Sequence, residues 1–376
     1  MKPRHLVVLS VSAGAGHVRA AAALCEQAQA AGLLTTHIDV MQRSPAWFRW
    51  LYADLYALLV NRAPLLWAWL YGSMNHSAGS GILQRCRRLL ERRVSARWLA
   101  EVSALAPDAI VCTHFLPAEL LATSCPCPLF VHVTDFDLHA MWVQPAIDGY
   151  FVACEEVAFQ LRRAGVAAAR ITVTGLAVMP AFRPLTPPQR PADGNDADVE
   201  TLPTVLLMGG GGGFGGLAQV AEQLLQDADG FRLVVVAGRN SIALAALQAM
   251  APHWPGRLRA LGYTDQVAAL MADADIVITK PGGLTTAECL AVGVAMIVNA
   301  PIPGQEERNA DYLLEQGVAL KAINAATLAW RLRHLLAQPQ QRCQMARQAR
   351  ALGRPDAARH IIDAIDTIVT QLKAAP

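Results

Sequence analysis

Apolar residues in this chain fall into short runs separated by longer mixed stretches. Leu6-Val7-Val8-Leu9 is one such run, the pattern of a strand buried on both faces. Ser12-Ala13-Gly14-Ala15-Gly16-His17 follows, and then an alanine-rich stretch, Arg19 to Ala31, that predicts a helix. Similar short strands are predicted at Ala109 to Thr113, Leu129 to Thr134, Gly149 to Ala153 and Ile171 to Thr174, with room for a helix between them. Apolar strands alternating with helices predict a parallel sheet covered on both faces.

The pattern breaks between residues 183 and 203, which hold five prolines, three aspartates and one glutamate and almost no apolar residues. Proline removes backbone donors and carboxylates resist burial, so this segment reads as a surface connection between two domains. Strand, turn and helix then restart at Thr204 to Met208, Gly209 to Gly216 and Leu217 to Asp227, with further strands at Leu233 to Ala237, Ile276 to Thr279 and Met296 to Val298. The chain is therefore expected to form two α/β domains facing across a cleft, with ligands at the carboxyl ends of their strands.

Composition narrows the function. The 376 residues are 53% hydrophobic and 16% charged, which excludes intrinsic disorder and fits about two domains. Formal net charge is +2, so the global field of a nucleic-acid binder is missing and no nucleic-acid partner is expected. The eight cysteines include no C-x-x-C pair, and Cys125-Pro126-Cys127 has no second cluster near it in sequence. That argues against a zinc site or a disulfide framework and fits a reducing cytosol. Leu6 to Leu9 is too short for the core of a signal peptide. Leu51 to Gly72 contains Asp54, Asn61, Arg62 and Pro64 and cannot supply a clean membrane span.

Two turns in the second half have the make-up of phosphate sites. Gly209 to Gly216 sits between a strand and a helix, where bare backbone lets amides and a helix dipole approach a phosphate. It has no Walker A lysine, and a tight turn without ligand is the plain alternative. Thr279-Lys280-Pro281-Gly282-Gly283-Leu284-Thr285-Thr286-Ala287-Glu288 again follows a strand and opens a helix. Two such turns suit a diphosphate. Glu288, a turn into the helix, suits the two hydroxyls of a ribose, or else a solvated or dipole-neutralising role. Pro301-Ile302-Pro303-Gly304-Gln305-Glu306-Glu307-Arg308-Asn309 places amides and carboxylates ahead of another helix, where they can bond sugar hydroxyls or simply face water.

In the first half, His17 lies at a helix start, where a near-neutral imidazole can take a proton from an attacking hydroxyl; a structural role is the alternative. Thr134-Asp135-Phe136-Asp137-Leu138-His139-Ala140-Met141-Trp142 concentrates acids, a histidine and an indole after a strand. Either Asp135 or Asp137 can orient His17 or His139, and either can equally cap the next helix.

Between Gln42 and Gly72 lie four of the eight tryptophans (Trp47, Trp50, Trp67, Trp69) and three of the six tyrosines (Tyr52, Tyr56, Tyr71). Gly81 to Ala100 then carries Arg85, Arg87, Arg88, Arg92, Arg93 and Arg97 against the single acid Glu91, interleaved with Ile82, Leu83, Leu89, Leu90 and Trp98. Aromatic rings favour the headgroup level and a basic amphipathic helix rests on anionic lipid. Gln42–Ala100 is therefore expected to contact an anionic membrane surface, the alternative being an arginine-rich solvent face over a packed aromatic helix.

Four of these motifs, in this order, resemble the monogalactosyldiacylglycerol synthase and processive diacylglycerol glucosyltransferase group of glycosyltransferase family 28. Ser12-Ala13-Gly14-Ala15-Gly16-His17 with Ala20-Ala21, and Val133-Thr134-Asp135-Phe136 with His139 and Trp142, are similar to its amino-terminal signatures. Lys280-Pro281-Gly282-Gly283-Leu284-Thr285 with Glu288, and Pro303-Gly304-Gln305-Glu306-Glu307 with Asn309, are similar to its donor-site signatures. The resemblance implies an α/β fold of the GT-B type, two Rossmann-like domains with the carboxy-terminal helix crossing back to the first. The boundaries it suggests are 1–182 for an acceptor and membrane-binding domain, 183–203 for the linker, 204–353 for a UDP-sugar domain and 354–376 for the crossover helix.

It further implies inverting, metal-independent transfer of a hexose from a UDP-sugar to a lipid hydroxyl, diacylglycerol first among candidates, on the cytoplasmic face of the cell membrane, with no cofactor. A polyprenyl-linked or small-molecule acceptor is the alternative, as is a non-catalytic lipid-binding protein of the same fold. By the resemblance His17 is the base, with Asp135 beside it. Gly211, Gly212, Gly213, Gly283, Leu284, Thr285 and Thr286 hold the diphosphate with help from Arg239, Glu288 holds the ribose, and Tyr263 to Val267 read uracil. Gln305, Glu306 and Asn309 meet the sugar, and Gly16, Phe136, His139 and Trp142 line the acceptor side. The glycine loop reads Gly212-Gly213-Phe214 where relatives often carry an acid.

Overall fold

A computed structural model describes residues 4–12, 14–54, 58, 59, 62, 63, 66, 82–184, 202–209 and 216–374. Two compact units divide the chain: 1–180 with 302–305 and 356–376, and 181–301 with 306–355.

The first unit is built on a six-stranded parallel sheet in the order β2-β1-β3-β4-β5-β6. Its strands are β1 His5–Ser10, β2 Leu34–Asp39, β3 Ala109–Cys112, β4 Leu129–His132, β5 Gly149–Val152 and β6 Ile171–Val173. The central strands are wholly buried, which is why they read as unbroken apolar runs rather than alternating ones. Val7, Leu9, Ile110, Val131 and Val152 form the middle of the core. The helix Ala15–Ala30 packs Ala20, Ala21, Ala23, Leu24 and Ala28 inward; small side chains let it lie close to the sheet.

The last helix, Ala357–Ala374, belongs to this unit and buries Ile361, Ile362, Ile365 and Val369. Arg4 pairs with Asp366, Arg4 also donates to Thr370 Oγ1 at 3.0 Å, and Lys373 pairs with Asp108.

The second unit repeats the architecture with the parallel order β12-β11-β10-β7-β8-β9. Here β7 is Thr204–Met208, β8 Arg232–Val236, β9 Leu258–Leu261, β10 Ile276–Thr279, β11 Ala295–Asn299 and β12 Ala319–Ala322. The helix Gly283–Val292 is buried at every position but Thr285. Gly353, after the helix Pro339–Leu352, lies so close to it that a β-carbon would stand 2.3 Å from the carbonyl oxygen of Leu290.

Each sheet has one point where the strand order reverses. In the first, β2 lies on one side of β1 and β3 on the other; in the second, β8 and β10 flank β7. Crossovers diverge there and leave a crevice at the carboxyl ends of the strands, where ligands of parallel sheets bind. His17 follows β1 and Thr113-His114 follow β3, while Gly209 follows β7 and Lys280-Pro281-Gly282 follow β10. The predicted motifs thus stand at the two reversals.

Candidate active site

His17 is the third residue of the Ala15–Ala30 helix, which starts after Gly14 in extended conformation with no side-chain cap. Its Nδ1 lies 2.8 Å from the carbonyl oxygen of Thr113 and 3.0 Å from Thr134 Oγ1. A carbonyl only accepts, so Nδ1 carries the proton and Nε2 the lone pair. In return Thr113 Oγ1 donates to the carbonyl of His17 at 2.9 Å. Burial pushes the imidazole pKa from 6.5 down to about 4, against the raising effect of the bond to Thr113. The ring is therefore neutral at physiological pH, with Nε2 positioned to accept a proton.

Sequence reasoning offered Asp135 or Asp137 as the group that orients His17 or His139; at His17 Nδ1 the bonded groups are instead Thr113 and Thr134. Asp135 is buried, and Asp137 accepts from Gln160 Nε2 at 2.7 Å while Gln160 Oε1 receives the amide of Leu138 at 2.9 Å. Asp137 thereby braces its own loop.

Around His17 stand rings. His114 meets it edge-on with centroids 4.7 Å apart, and Trp142 lies 6.5 Å away. Phe115 packs edge-on against Trp142 at 5.8 Å. Sequence reading missed His114 and Phe115; their place just past β3, one strand from His17, was the available signal. Three more imidazoles serve the backbone. His114 Nδ1 accepts the amide of Leu116 at 3.1 Å, capping the helix Phe115–Leu121, and His139 Nδ1 accepts that of Met141 at 3.2 Å. His132 Nδ1 donates to the carbonyl of Phe151 at 3.3 Å and its Nε2 accepts the amide of Ala177 at 3.1 Å. Burial holds His132 at about 4 and His114 well below its ordinary value. Phe136 and Trp142 are buried and Gly16 half-buried.

In the second unit the helix Gly283–Val292 opens at Gly282, again with no side-chain cap. The amides of its first turn point out of the helix end with no intrahelical acceptor, and a β-carbon on Gly282 would meet nothing within 4 Å. Backbone amides and open space at a sheet reversal are groups that can meet an anion. Thr286, 1% exposed, carries a hydroxyl oxygen with no hydrogen-bond partner, a buried polar atom that a bound ligand can satisfy. Glu288, two residues further along the helix, is also 1% exposed rather than solvated. Gln305, grouped with the first unit, and Glu306 open the helix Gln305–Glu315 half-buried, and Asn309 on the same helix is fully buried. Ala300, just past β11, has a left-handed backbone (φ 42°) without being glycine, the kind of strained position that gathers at ligand loops.

Arg239 and Tyr263 come off the ends of the adjacent strands β8 and β9, and the guanidinium lies 5.2 Å from the ring centroid. Val267 starts the helix Val267–Ala272. Gly211, Gly212 and Gly213 lie outside the described residues.

Of the expected membrane segment, Trp47, Trp50, Leu51, Leu58 and Leu66 are exposed, while Phe48 and Trp98 are buried. Trp98 belongs to the core, not to a lipid-facing surface as its interleaving with arginines suggested. Trp67, Trp69, Tyr56 and Tyr71 lie outside the described residues. Among the described residues no helix is long and apolar enough to cross a membrane.

Residues 17–178 match the family model for monogalactosyldiacylglycerol (MGDG) synthase, and residues 204–361 that for the glycosyltransferase family 28 C-terminal domain. The processive diacylglycerol beta-glucosyltransferase of Bacillus pumilus (strain SAFR-032) is 33% identical over 217 residues, 57% of this chain and 56% of that protein. Those of Bacillus subtilis (strain 168) and Bacillus licheniformis are 31% and 28% identical, over 57% and 65% of this chain and 56% and 62% of their own lengths. The chain thus spans less than two thirds of these curated relatives.

Among solved structures, Acinetobacter baumannii MurG superposes with a TM-score of 0.64 at 19% identity, covering 97% of this chain and 100% of that one. The calicheamicin glycosyltransferase CalG4 gives 0.60 at 15%, covering all of both chains. UDP-GlcNAc 2-epimerase from Neisseria meningitidis, bound to UDP-GlcNAc, gives 0.59 at 12%, covering 97% and 100%. At these identities the likeness establishes the GT-B fold alone, and an epimerase shares it. With both halves matched in order, the chain belongs to glycosyltransferase family 28, with an amino-terminal half of the MGDG synthase kind.

Proposed function

We propose that this protein transfers a hexose from a UDP-sugar to a lipid hydroxyl, with diacylglycerol as acceptor. The observation that carries the reading is the state of His17, whose Nδ1–H is committed to Thr113, leaving Nε2 as a base on a neutral ring. The named activity of the Bacillus relatives supports the acceptor.

The second unit holds the UDP part of the donor. The amides of Gly283, Leu284 and Thr285, the hydroxyl of Thr286 and the cations of Lys280 and Arg239 meet the charge that grows on the departing diphosphate. That charge is thereby neutralised without a metal ion. Glu288 takes ribose hydroxyls, Gln305, Glu306 and Asn309 take those of the sugar, and Tyr263 with the backbone to Val267 takes uracil.

The first unit supplies the base. The acceptor oxygen attacks the anomeric carbon from the face opposite UDP, its proton passes to His17 Nε2, and the carbon–oxygen bond to UDP breaks, so configuration inverts. Such a base contributes about 10² to 10⁴ in rate. Phe136, His139, Trp142 and Gly16 line the acceptor side, with His114 and Phe115 added by the structure. Exposed Trp47, Trp50 and Leu51 support attachment to the inner membrane face.

Purified protein incubated with several UDP-sugars and with diacylglycerol, polyprenyl phosphate or soluble acceptors, followed by mass spectra of the products, tests this directly. A hexosyl-diacylglycerol is the expected product. Transfer only to another acceptor overturns the lipid assignment, and no transfer from any UDP-sugar overturns the activity.

A further inference from the structure

Outside the site, one cluster of nucleophilic side chains has geometry of its own. Cys125 and Cys127 lie in the loop between the helix Phe115–Leu121 and β4, with their sulfurs 3.7 Å apart. Both are partly exposed, and Pro126 between them is exposed. The loop is held at both ends. The amide of Cys125 donates to the carbonyl of Leu121 at 2.9 Å, and the amide of Leu129 to Asp148 Oδ2 at 2.8 Å. Cysteine sulfurs that already touch need only a small rotation to reach bonding distance, roughly 2.05 Å.

We propose that Cys125 and Cys127 form a dithiol site that a low-molecular-weight disulfide converts reversibly to an intramolecular disulfide. The Cys125 sulfur attacks one sulfur of the reagent, RSSR, and expels RS⁻, leaving a mixed disulfide on Cys125. Cys127 gives up its proton and attacks the Cys125 sulfur, expelling the second RS⁻. Two thiols lose two electrons and two protons, and one RSSR becomes two RSH.

The two sulfurs are unequal, which sets the order of events. A hydrogen bond from Cys127, helped by the Cys127 amide, lowers the Cys125 thiol to about 7, whereas the bond to Cys125, burial and the charges of Cys125, Asp108 and Asp148 drive Cys127 far up. Cys125 is thus the sulfur that ionises more readily, and the proposal gives it the first attack and Cys127 the resolving step. The other described cysteines differ: Cys112 and Cys289 are buried, Cys25 and Cys154 have raised pKa values, and Cys343 is exposed and far away in sequence. The strand β4 joins this loop to Thr134, whose hydroxyl lies 3.0 Å from His17 Nδ1.

The test treats the full chain with oxidised glutathione at neutral pH and follows each cysteine by peptide mass spectrometry. The expected result is a peptide holding Cys125 and Cys127 that has lost two hydrogens, formed before any adduct on Cys343, and restored by dithiothreitol. Cys127→Ser should stop at a stable glutathione adduct on Cys125, and Cys125→Ser should leave residue 127 slow to react. Far-ultraviolet circular dichroism of both variants checks that they fold. A Cys343 adduct that forms first while Cys125 and Cys127 stay reduced overturns the proposal. So does a folded Cys127→Ser variant that gathers no adduct at Cys125.

Discussion

His17 and Thr113 hold each other twice: the ring Nδ1–H of His17 meets the carbonyl of Thr113 at 2.8 Å, and the Thr113 hydroxyl meets the carbonyl of His17 at 2.9 Å. The pair joins the first turn of the helix after β1 to the residue that follows β3, the strands between which the first sheet reverses. One tautomer of the imidazole is fixed by backbone, so substitution of the Thr113 side chain alone leaves the Nδ1 acceptor in place.

Thr134 is the replaceable part of that arrangement. Thr134→Val keeps the shape and removes the hydroxyl 3.0 Å from Nδ1. Loss of one such bond is worth about tenfold in rate, so kcat should fall by that factor with KM for the UDP-sugar unchanged. Thr134→Ser should restore it. A fall in Val that Ser does not reverse would assign Thr134 to packing.

Buried neutral histidines make the fold acid-sensitive. His17 and His132 are held at about 4 against an ordinary 6.5. As pH falls below about 6.5 the unfolded chain takes up protons that the folded chain refuses until about 4, so stability is full above that window and declines through it. For fully buried His132 alone the loss by pH 5 is about 2 kcal/mol. Urea midpoints should drop between pH 7 and pH 5; an unchanged midpoint would mean that these rings protonate without resistance.

Thr286 separates binding from folding. Its buried hydroxyl has no partner in the protein, so Thr286→Val should leave stability equal or raise it by about 1 kcal/mol. The same change should weaken UDP about tenfold, as a hydrogen bond to a charged group is lost. Calorimetric titration with UDP beside thermal melts reads both. Lower stability with unaltered UDP affinity would place this hydroxyl outside the donor site.

Gly353 tests the packing behind that site. Its φ and ψ of −58° and 140° suit any residue, yet a β-carbon would stand 2.3 Å from the Leu290 oxygen and 3.0 Å from Ala291 Cα. Gly353→Ala should therefore cost about 2 to 3 kcal/mol, read from the denaturation midpoint. A midpoint equal to that of the parent protein would show that the helix ends part without cost.

The buried strands and both loop motifs were legible in the sequence because a strand covered on both faces must be apolar along its length. The strands that escaped, β2, β9 and β12, are all at sheet edges. There half the surface meets water, so Leu34-Thr35-Thr36-His37-Ile38-Asp39 reads as a mixed segment. The orienting partner of His17 was illegible for another reason. It is a main-chain carbonyl 96 residues away, and every residue type carries one, so no side-chain pattern reports it. Glu288 was found by its motif, but its burial followed only from the helix being enclosed on nearly every side.

The most direct test of the account is UDP-sugar turnover by His17→Ala with diacylglycerol vesicles, measured beside UDP affinity on the same preparation. The account predicts a rate lower by about 10² to 10⁴ with UDP binding unchanged, because the base sits in one unit and the nucleotide contacts in the other. Retained turnover, or turnover lost together with UDP affinity, would contradict it.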